Sequence, residues 1–159
     1  MKEQLLELLQ QNARLTNAEL AVMLDTTEAE VADAIRALEN DGVIKGYSAI
    51  VDDELANKDM VTAIIELRVT PQRDSGYEEI AHTIMQYDEE SIALMAGAYD
   101  LSVTVRGTNV KDVSMFVSQR LATLAGVLST ATYFVLKKYK EKGIIIEGEE
   151  KDERGYYFP

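Results

Sequence analysis

The chain has 159 residues, 47% apolar and 28% charged; this balance fills one domain of average size or two small ones and excludes disordered, collagenous and low-complexity chains. Sixteen Lys and Arg stand against 28 Asp and Glu, a net charge of −12, which opposes non-specific attachment to phosphate backbones and anionic membranes. With no cysteine and a single histidine, disulfide frameworks, thiolate nucleophiles and thiolate zinc sites are excluded, and a reducing, cytoplasmic setting is expected.

The opening MKEQLLELLQQN mixes one Lys with two Glu and holds no apolar run of secretory-signal length. The longest uncharged stretch, residues 121–136, is short for a membrane span and is broken by Gly, Ser and Thr. Leu5, Leu6, Leu8 and Leu9 repeat at helical spacing and predict a first helix of about three turns that fades at residues 11–13. Thr16-Asn17-Ala18-Glu19 and Thr27-Glu28-Ala29-Glu30 are both Thr-x-x-Glu capping boxes, so two further helices start there. Between them Asp25-Thr26 must turn the chain, and Asp tolerates the left-handed backbone that such turns use. Leu20 and Leu24 on the short helix, with Val31, Ile35 and Leu38 on the longer one, form the inward stripe of a three-helix core. The longer helix ends at Asp41-Gly42, where Gly takes the left-handed cap. Residues 43–51, rich in β-branched and aromatic side chains, predict a wing or connecting strand. The acidic interruption that follows sets the expected boundaries: a first domain over 1–52, a linker over 53–59, a second domain over 60–140 and a tail over 141–159.

Beyond the linker the period changes. Strands are predicted over 60–69, 91–98, 101–106 and 127–137, and helices over 77–87 and 110–124. The order βαββαβ is a repeated split unit whose four strands form one antiparallel sheet with both helices on one face, an α+β arrangement. Ala63, Ile65 and Leu67 alternate with Ile64, Glu66 and Arg68, while Leu94 and residues 133–136 add apolar area. The uncovered face is therefore expected to pack on a second copy. In the tail, Ile144-Ile145-Ile146 and Tyr156-Tyr157-Phe158 flank a charged centre as the arms of a hairpin whose glycines leave its register weakly specified.

Several segments then carry a resemblance: Gln10-Gln11-Asn12-Ala13-Arg14 before the first cap, Glu19-Leu20-Ala21, Leu38-Glu39-Asn40-Asp41-Gly42-Val43-Ile44 with Gly46-Tyr47, Gly97-Ala98-Tyr99-Asp100-Leu101, and Gly126-Val127 leading into Ser129-Thr130-Ala131-Thr132. In this order and spacing the chain resembles the Lrp/AsnC, or feast/famine, regulators over nearly its whole length. The resemblance implies an N-terminal winged helix-turn-helix followed by a ferredoxin-like βαββαβ domain. The first would enter DNA; the second would form a homodimer, extend to an octamer and bind an amino acid or related small effector. The longer helix of the motif would lie in the major groove with Thr27, Ala29, Ala32, Asp33, Arg36, Ala37 and Asn40 outward. Arg36 suits guanine, Asn40 adenine or a phosphate, and the alanines thymine methyl groups; Arg14 and Lys45 are the expected phosphate contacts.

Family members usually carry basic residues where Ala34 and Ala37 stand, and Gly and Ser where Asp25 and Thr27 stand. Residues 1–46 hold four basic and nine acidic side chains, a net −5, so each subunit neutralises few phosphates and several must act together. Glu28 and Glu30 are better explained by the helix dipole and the capping box than by base reading. For the effector, Gly97, Ala98, Tyr99, Asp100 and Leu101 form the expected binding turn. Gly97 would allow close backbone approach, Tyr99 a stacking face and hydroxyl, and Asp100 a counter-charge for an ammonium group. Thr130 and Thr132 would add hydroxyls. The competing reading is a hairpin turn in which Asp100 bonds its own backbone.

Two other classes remain. A sensor that binds effector and partner subunits with little DNA affinity fits the acidic helix. A tetrapyrrole decarboxylase related to sirohaem enzymes would need paired histidines, and His82 stands alone. No Gly-rich phosphate loop, nucleophilic Ser elbow or zinc-binding His pair is present, so neither enzymatic activity nor a cofactor or metal is expected.

Overall fold

In the computed structural model, which describes residues 1–56, 59–70 and 76–146, the leucine spacing yields α1 (Lys2–Gln11), and the two capping boxes open α2 (Asn17–Met23) and α3 (Glu28–Asn40). A single turn, α4 (Asp53–Ala56), precedes β1 (Val61–Val69). There follow α5 (Glu78–Ile84), β2 (Ser91–Leu94), β3 (Leu101–Gly107), α6 (Val110–Phe116), a π-helical turn over Val117–Leu121, β4 (Val127–Phe134), β5 (Lys140–Glu141) and β6 (Ile144–Ile145). Two compact units result: Met1–Ile50 with Lys140–Ile145, and Val51–Tyr139 with Ile146. The expected arm at residues 156–158 lies outside the described residues.

In the first unit, α1 contributes Leu5 and Leu9, α2 Leu20 and Ala21, and α3 Val31, Ala34 and Leu38 to one buried cluster. Leu24 and Ile35 pack on it half-buried. Ala34 is therefore a core position, and its small side chain reflects helix packing rather than a missing phosphate contact. The expected strand over 43–51 does not form. Val43 and Ile44 both donate backbone N–H groups to the Leu38 carbonyl, at 2.9 and 3.1 Å, and residues 44–52 then run without a ladder partner. β-branched content makes a segment ready for a sheet, but a strand exists only once a neighbouring backbone accepts its hydrogen bonds.

In the second unit the sheet order is β2-β3-β1-β4, antiparallel throughout. Central β1 pairs Ala63, Ile65 and Leu67 with Val105, Val103 and Leu101 on one side, and with Phe134, Thr132 and Thr130 on the other. Directly opposed residues share a face, and this one packs with Ile80 and Ile84 of α5, Val113 of α6 and Val117 and Leu121 of the π turn in a continuous core. The other face carries Ile64 beside Thr104 and Tyr133, Glu66 beside Ser102 and Ala131, and Arg68 beside Ser129. It is more polar than the sequence pattern implied, with Ile64 and Tyr133 as its apolar centre, 37% and 52% exposed. Leu94 stands opposite Leu101, on the helix-side row.

Several bounds are shorter than expected. β2 stops at Leu94 because the chain folds back: Met95 N–H donates to the Asp100 carbonyl at 2.7 Å. The helix expected over 110–124 tightens into α6 and then widens, with Ala122 N–H donating five residues back to Val117 at 2.8 Å. β4 ends at Phe134 rather than 137.

Candidate nucleic-acid interface and ligand-binding turn

The geometry of α3 is fixed at its start. Glu19 N–H donates to Thr16 Oγ1 at 3.1 Å while Thr16 N–H donates to the Glu19 carboxylate at 2.8 Å. Thr27 and Glu30 repeat the exchange at 3.2 and 3.3 Å. Between the two boxes Asp25 adopts φ 53°, the left-handed turn expected of it, and Thr26 N–H closes back on the Ala21 carbonyl at 2.9 Å. The Thr26 hydroxyl also donates to Glu30. That bond first, and the Thr27 backbone second, hold the Glu30 carboxyl below its ordinary 4.5. At the other end Gly42 takes φ 74°.

Of the expected DNA-facing residues, Thr27, Ala29, Asp33, Arg36 and Asn40 are exposed, and Ala32 and Ala37 are half-buried at the margin of the core. Arg36, expected to read guanine, and Asp33, expected beside it on the DNA-facing side, are ion-paired with each other at 3.0 Å, one turn apart and largely solvated. Such a pair is worth at most about 1 kcal/mol, so it yields to a better partner. Arg14 and Lys45 line one groove with the end of α1, Lys142 and Ile144; the residues of α3 do not. Arg14 is set there by its own N–H, which donates to Asn12 Oδ1 at 3.0 Å. The sequence reading missed the tie that orients the connecting segment: the Tyr47 hydroxyl donates to Glu39 on α3 at 3.1 Å. Partial desolvation, then Glu39, raises the Tyr47 pKa from its usual 10.0.

In the sheet unit, residues 95–100 form a turn stitched to β1. Asp100 N–H donates to the Leu67 carbonyl at 2.8 Å, and the Asp100 carboxylate accepts from Val69 N–H at 2.9 Å. Its carboxylate thus stands in for the main-chain acceptor that the ladder lacks beyond Leu101. One carboxylate oxygen is committed to this bond, to β1 rather than to the turn's own backbone. The sequence reading also missed Arg68: its guanidinium donates to the Ala98 carbonyl at 3.2 and 3.3 Å and lies 5.2 Å from the Tyr99 ring centroid. Gly97 has no positive φ and open space where a Cβ would stand, so the close backbone approach expected of it is not used within this chain. Thr130 lies opposite Leu67, which lies opposite Leu101, in one row across three strands. The threonine and the turn therefore share an end of the sheet, about 10 Å apart. Thr132 sits one pleat further along, opposite Ile65. Both threonines occupy the helix-side face, and Arg68 the other.

His82 is exposed on α5, and the described residues hold no cluster of three or more His, Asp or Glu fit for a metal ion. No helix among them is long and apolar enough to cross a membrane.

A capped helix-turn-helix unit and a split βαββαβ sheet unit together define the class of two-domain helix-turn-helix regulators. Residues 2–45 match the model of a winged helix-turn-helix DNA-binding domain, and residues 62–145 that of the Lrp/AsnC ligand-binding domain. The chain belongs to the Lrp/AsnC family of transcriptional regulators. It is similar to the uncharacterised HTH-type transcriptional regulator YugG of Bacillus subtilis, 42% identical over 95% of this chain and 92% of that one. It is also similar to the leucine-responsive regulatory protein of Haemophilus influenzae, 24% identical over 87% and 83%. Among solved structures it superposes on the Neisseria meningitidis transcriptional regulator NMB0573 in complex with L-Met, with TM-score 0.72 and 26% identity over 91% of this chain and 93% of that one. Escherichia coli AsnC shares the fold at TM-score 0.67 and 20% identity, over 88% and 93%. These relatives are regulators and not enzymes, which sets the decarboxylase reading aside.

Proposed function

We propose that this regulator reads a specific DNA sequence with the outward face of α3, and that an amino acid held at the 97–101 turn tunes that binding. The observation supporting the second half is the row Leu101–Leu67–Thr130, which gathers a turn with a carboxylate, an aromatic ring and a threonine hydroxyl at one end of the sheet; a relative of the same fold binds L-Met. In this reading Asp100 meets the ammonium group with its second oxygen and Tyr99, stacked on Arg68, bounds the side chain, while Thr130 offers a hydroxyl from the helix-side face at the same end of the sheet. Thr132 supplies a hydroxyl deeper along β4, while Gly97 and Ala98 leave room for a ligand or a second copy. Arg36 pairs with guanine and Asn40 with adenine or a phosphate, and Ala29, Ala32 and Ala37 approach thymine methyl groups. Arg14 and Lys45 neutralise phosphates. The protein acts in the cytoplasm as a homodimer joined through the face of Ile64 and Tyr133.

The test is a mobility-shift titration against promoter DNA flanking its own gene, at two salt concentrations, with and without a pool of amino acids. Salt-sensitive shifts altered by the pool, and lost in Arg36→Glu, are expected. Retention unchanged by Arg36→Glu would show that another surface reads the DNA. The net −5 of residues 1–46 and the Asp33–Arg36 pair favour one competing reading, a sensor with little DNA affinity; absence of any shift at low salt would establish it.

A further inference from the structure

A cleft in the sheet unit lies at the opposite end of β3 from the 97–101 turn. Gly107 and Val105 form its floor, Val113 and Phe116 of α6 one wall, and Tyr87 with Asp88 the other, around a cleft of 440 Å³. A volume of this order accepts a small organic ligand. Leu101 and Gly107 stand six residue steps apart along β3, about 20 Å of strand, so the cleft and the turn are distinct sites. Glycine is required in the floor, because a Cβ at Gly107 would lie 2.8 Å from Val113 Cγ2.

The chemistry of the lining is directional. Tyr87 and Phe116 meet edge to face, with ring centroids 5.8 Å apart at 87°, and make an aromatic corner. The Arg120 guanidinium lies over the Tyr87 ring at 5.9 Å. Among the described residues Arg120 has no ion pair, whereas Arg106, the other cation of the lining, is committed to Asp53 at 2.7 Å. Asp112 is occupied by Thr108 and Asn109. Arg120 owes its place to the π turn of Val117–Leu121. One added residue per turn rotates the side chains beyond it away from their α-helical positions, and such turns recur at functional sites.

We propose that this cleft is a second ligand site, taking a small carboxylate with an apolar or aromatic body: the carboxylate on Arg120, the body in the Tyr87–Phe116 corner. Hydrophobic amino acids and the 2-oxo acids derived from them share that chemistry. The planar fork of Arg120 pairs with a carboxylate through two parallel hydrogen bonds.

The full-length protein is titrated with L-phenylalanine, phenylpyruvate and 2-phenylethylamine, following the NMR signals of Tyr87, Val113 and Phe116 alongside affinity. At least one carboxylate is expected to shift those signals, the amine to bind at least tenfold more weakly, and Arg120→Gln to lose at least tenfold in affinity. Arg120→Lys retains part of the binding, and Asp100→Asn leaves it intact, which separates this site from the turn. Arg120 is exposed, and an unchanged circular dichroism spectrum verifies the fold of each variant. Phenylpyruvate binding alone identifies an oxo acid, and phenylalanine alone an amino acid. The proposal is overturned if neither carboxylate moves the cleft signals, if those signals titrate in Arg120→Gln as in wild type, or if the amine moves them at concentrations as low as the acids do.

Discussion

Asp33 is the competitor that DNA would have to displace for the proposed contact with Arg36. The 3.0 Å pair holds the guanidinium to Asp33 on the face proposed to meet DNA, and in that reading docking exchanges Asp33 for guanine. Asp33→Asn removes the competitor and one like charge to the DNA without disturbing the core. Affinity at low salt is expected to rise about three- to tenfold, with a steeper salt dependence, as measured by mobility shift at two ionic strengths. Asp100 poses a different question, because it is both a structural acceptor and the proposed counter-charge. Asp100→Ala strands the part-buried Val69 N–H and should cost about 1–3 kcal/mol in a denaturant melt. Asp100→Asn keeps an acceptor and loses only the charge. It is expected to melt near wild type while its response to amino acids falls, and equal responses in the two proteins would remove the ammonium contact. The carboxylate-bearing turn was legible from Gly97-Ala98-Tyr99-Asp100. The Val69 bond and the Arg68–Ala98 contact were not, since each joins residues 30 or 31 apart in the chain.

Among the elements, α3 was the most legible, because a capping box is a local exchange between residues three apart and needs no tertiary partner. Thr27→Ala removes the hydroxyl acceptor of that box and is expected to cost about 1 kcal/mol, read from a thermal or denaturant melt. The same corner predicts an acid response. Glu30 has its carboxyl depressed in the folded chain, so the ionised form is the one folding favours. Its contribution is present above the ordinary 4.5 and is lost as pH falls through the lower folded value. Thr26→Val removes the leading cause, and the loss of helicity on acidification below pH 4.5 should therefore become shallower in that variant. Elements that depend on a partner or on subtle geometry were harder to read. Residues 43–51 have the composition of a strand but no neighbour to bond. The run 110–124 is periodic enough for one helix, and nothing in its pattern marks where the hydrogen bonds lengthen from four residues to five at Val117. The strand expected through Ala98 ends at Leu94, because Met95 turns back to Asp100.

For the whole molecule, charge sets the terms. Each helical unit brings Lys2, Arg14, Arg36 and Lys45 against nine acids in residues 1–46. A pair of subunits thus neutralises at most about eight phosphates, and the slope of log affinity on log salt is no steeper than about −7. A single unit held by half that number binds weakly, and specific retention rests on two units engaging adjacent half-sites, where the effective concentration of the second replaces missing contacts. The device proposed to join them is the helix-free face of the sheet, whose apolar centre is Ile64 between Thr104 and Tyr133. A carboxylate there would have to be desolvated in the interface but remains hydrated in a lone subunit, so Ile64→Glu weakens association while leaving the core row of Ala63, Ile65 and Leu67 untouched. The variant is expected to sediment as a monomer with an unaltered circular dichroism spectrum, and its affinity for promoter DNA to fall by more than tenfold. A protein that stays dimeric with Ile64→Glu would place the joining surface elsewhere. A monomer that binds DNA as tightly as wild type would show that one acidic head suffices, and the avidity argument would fail.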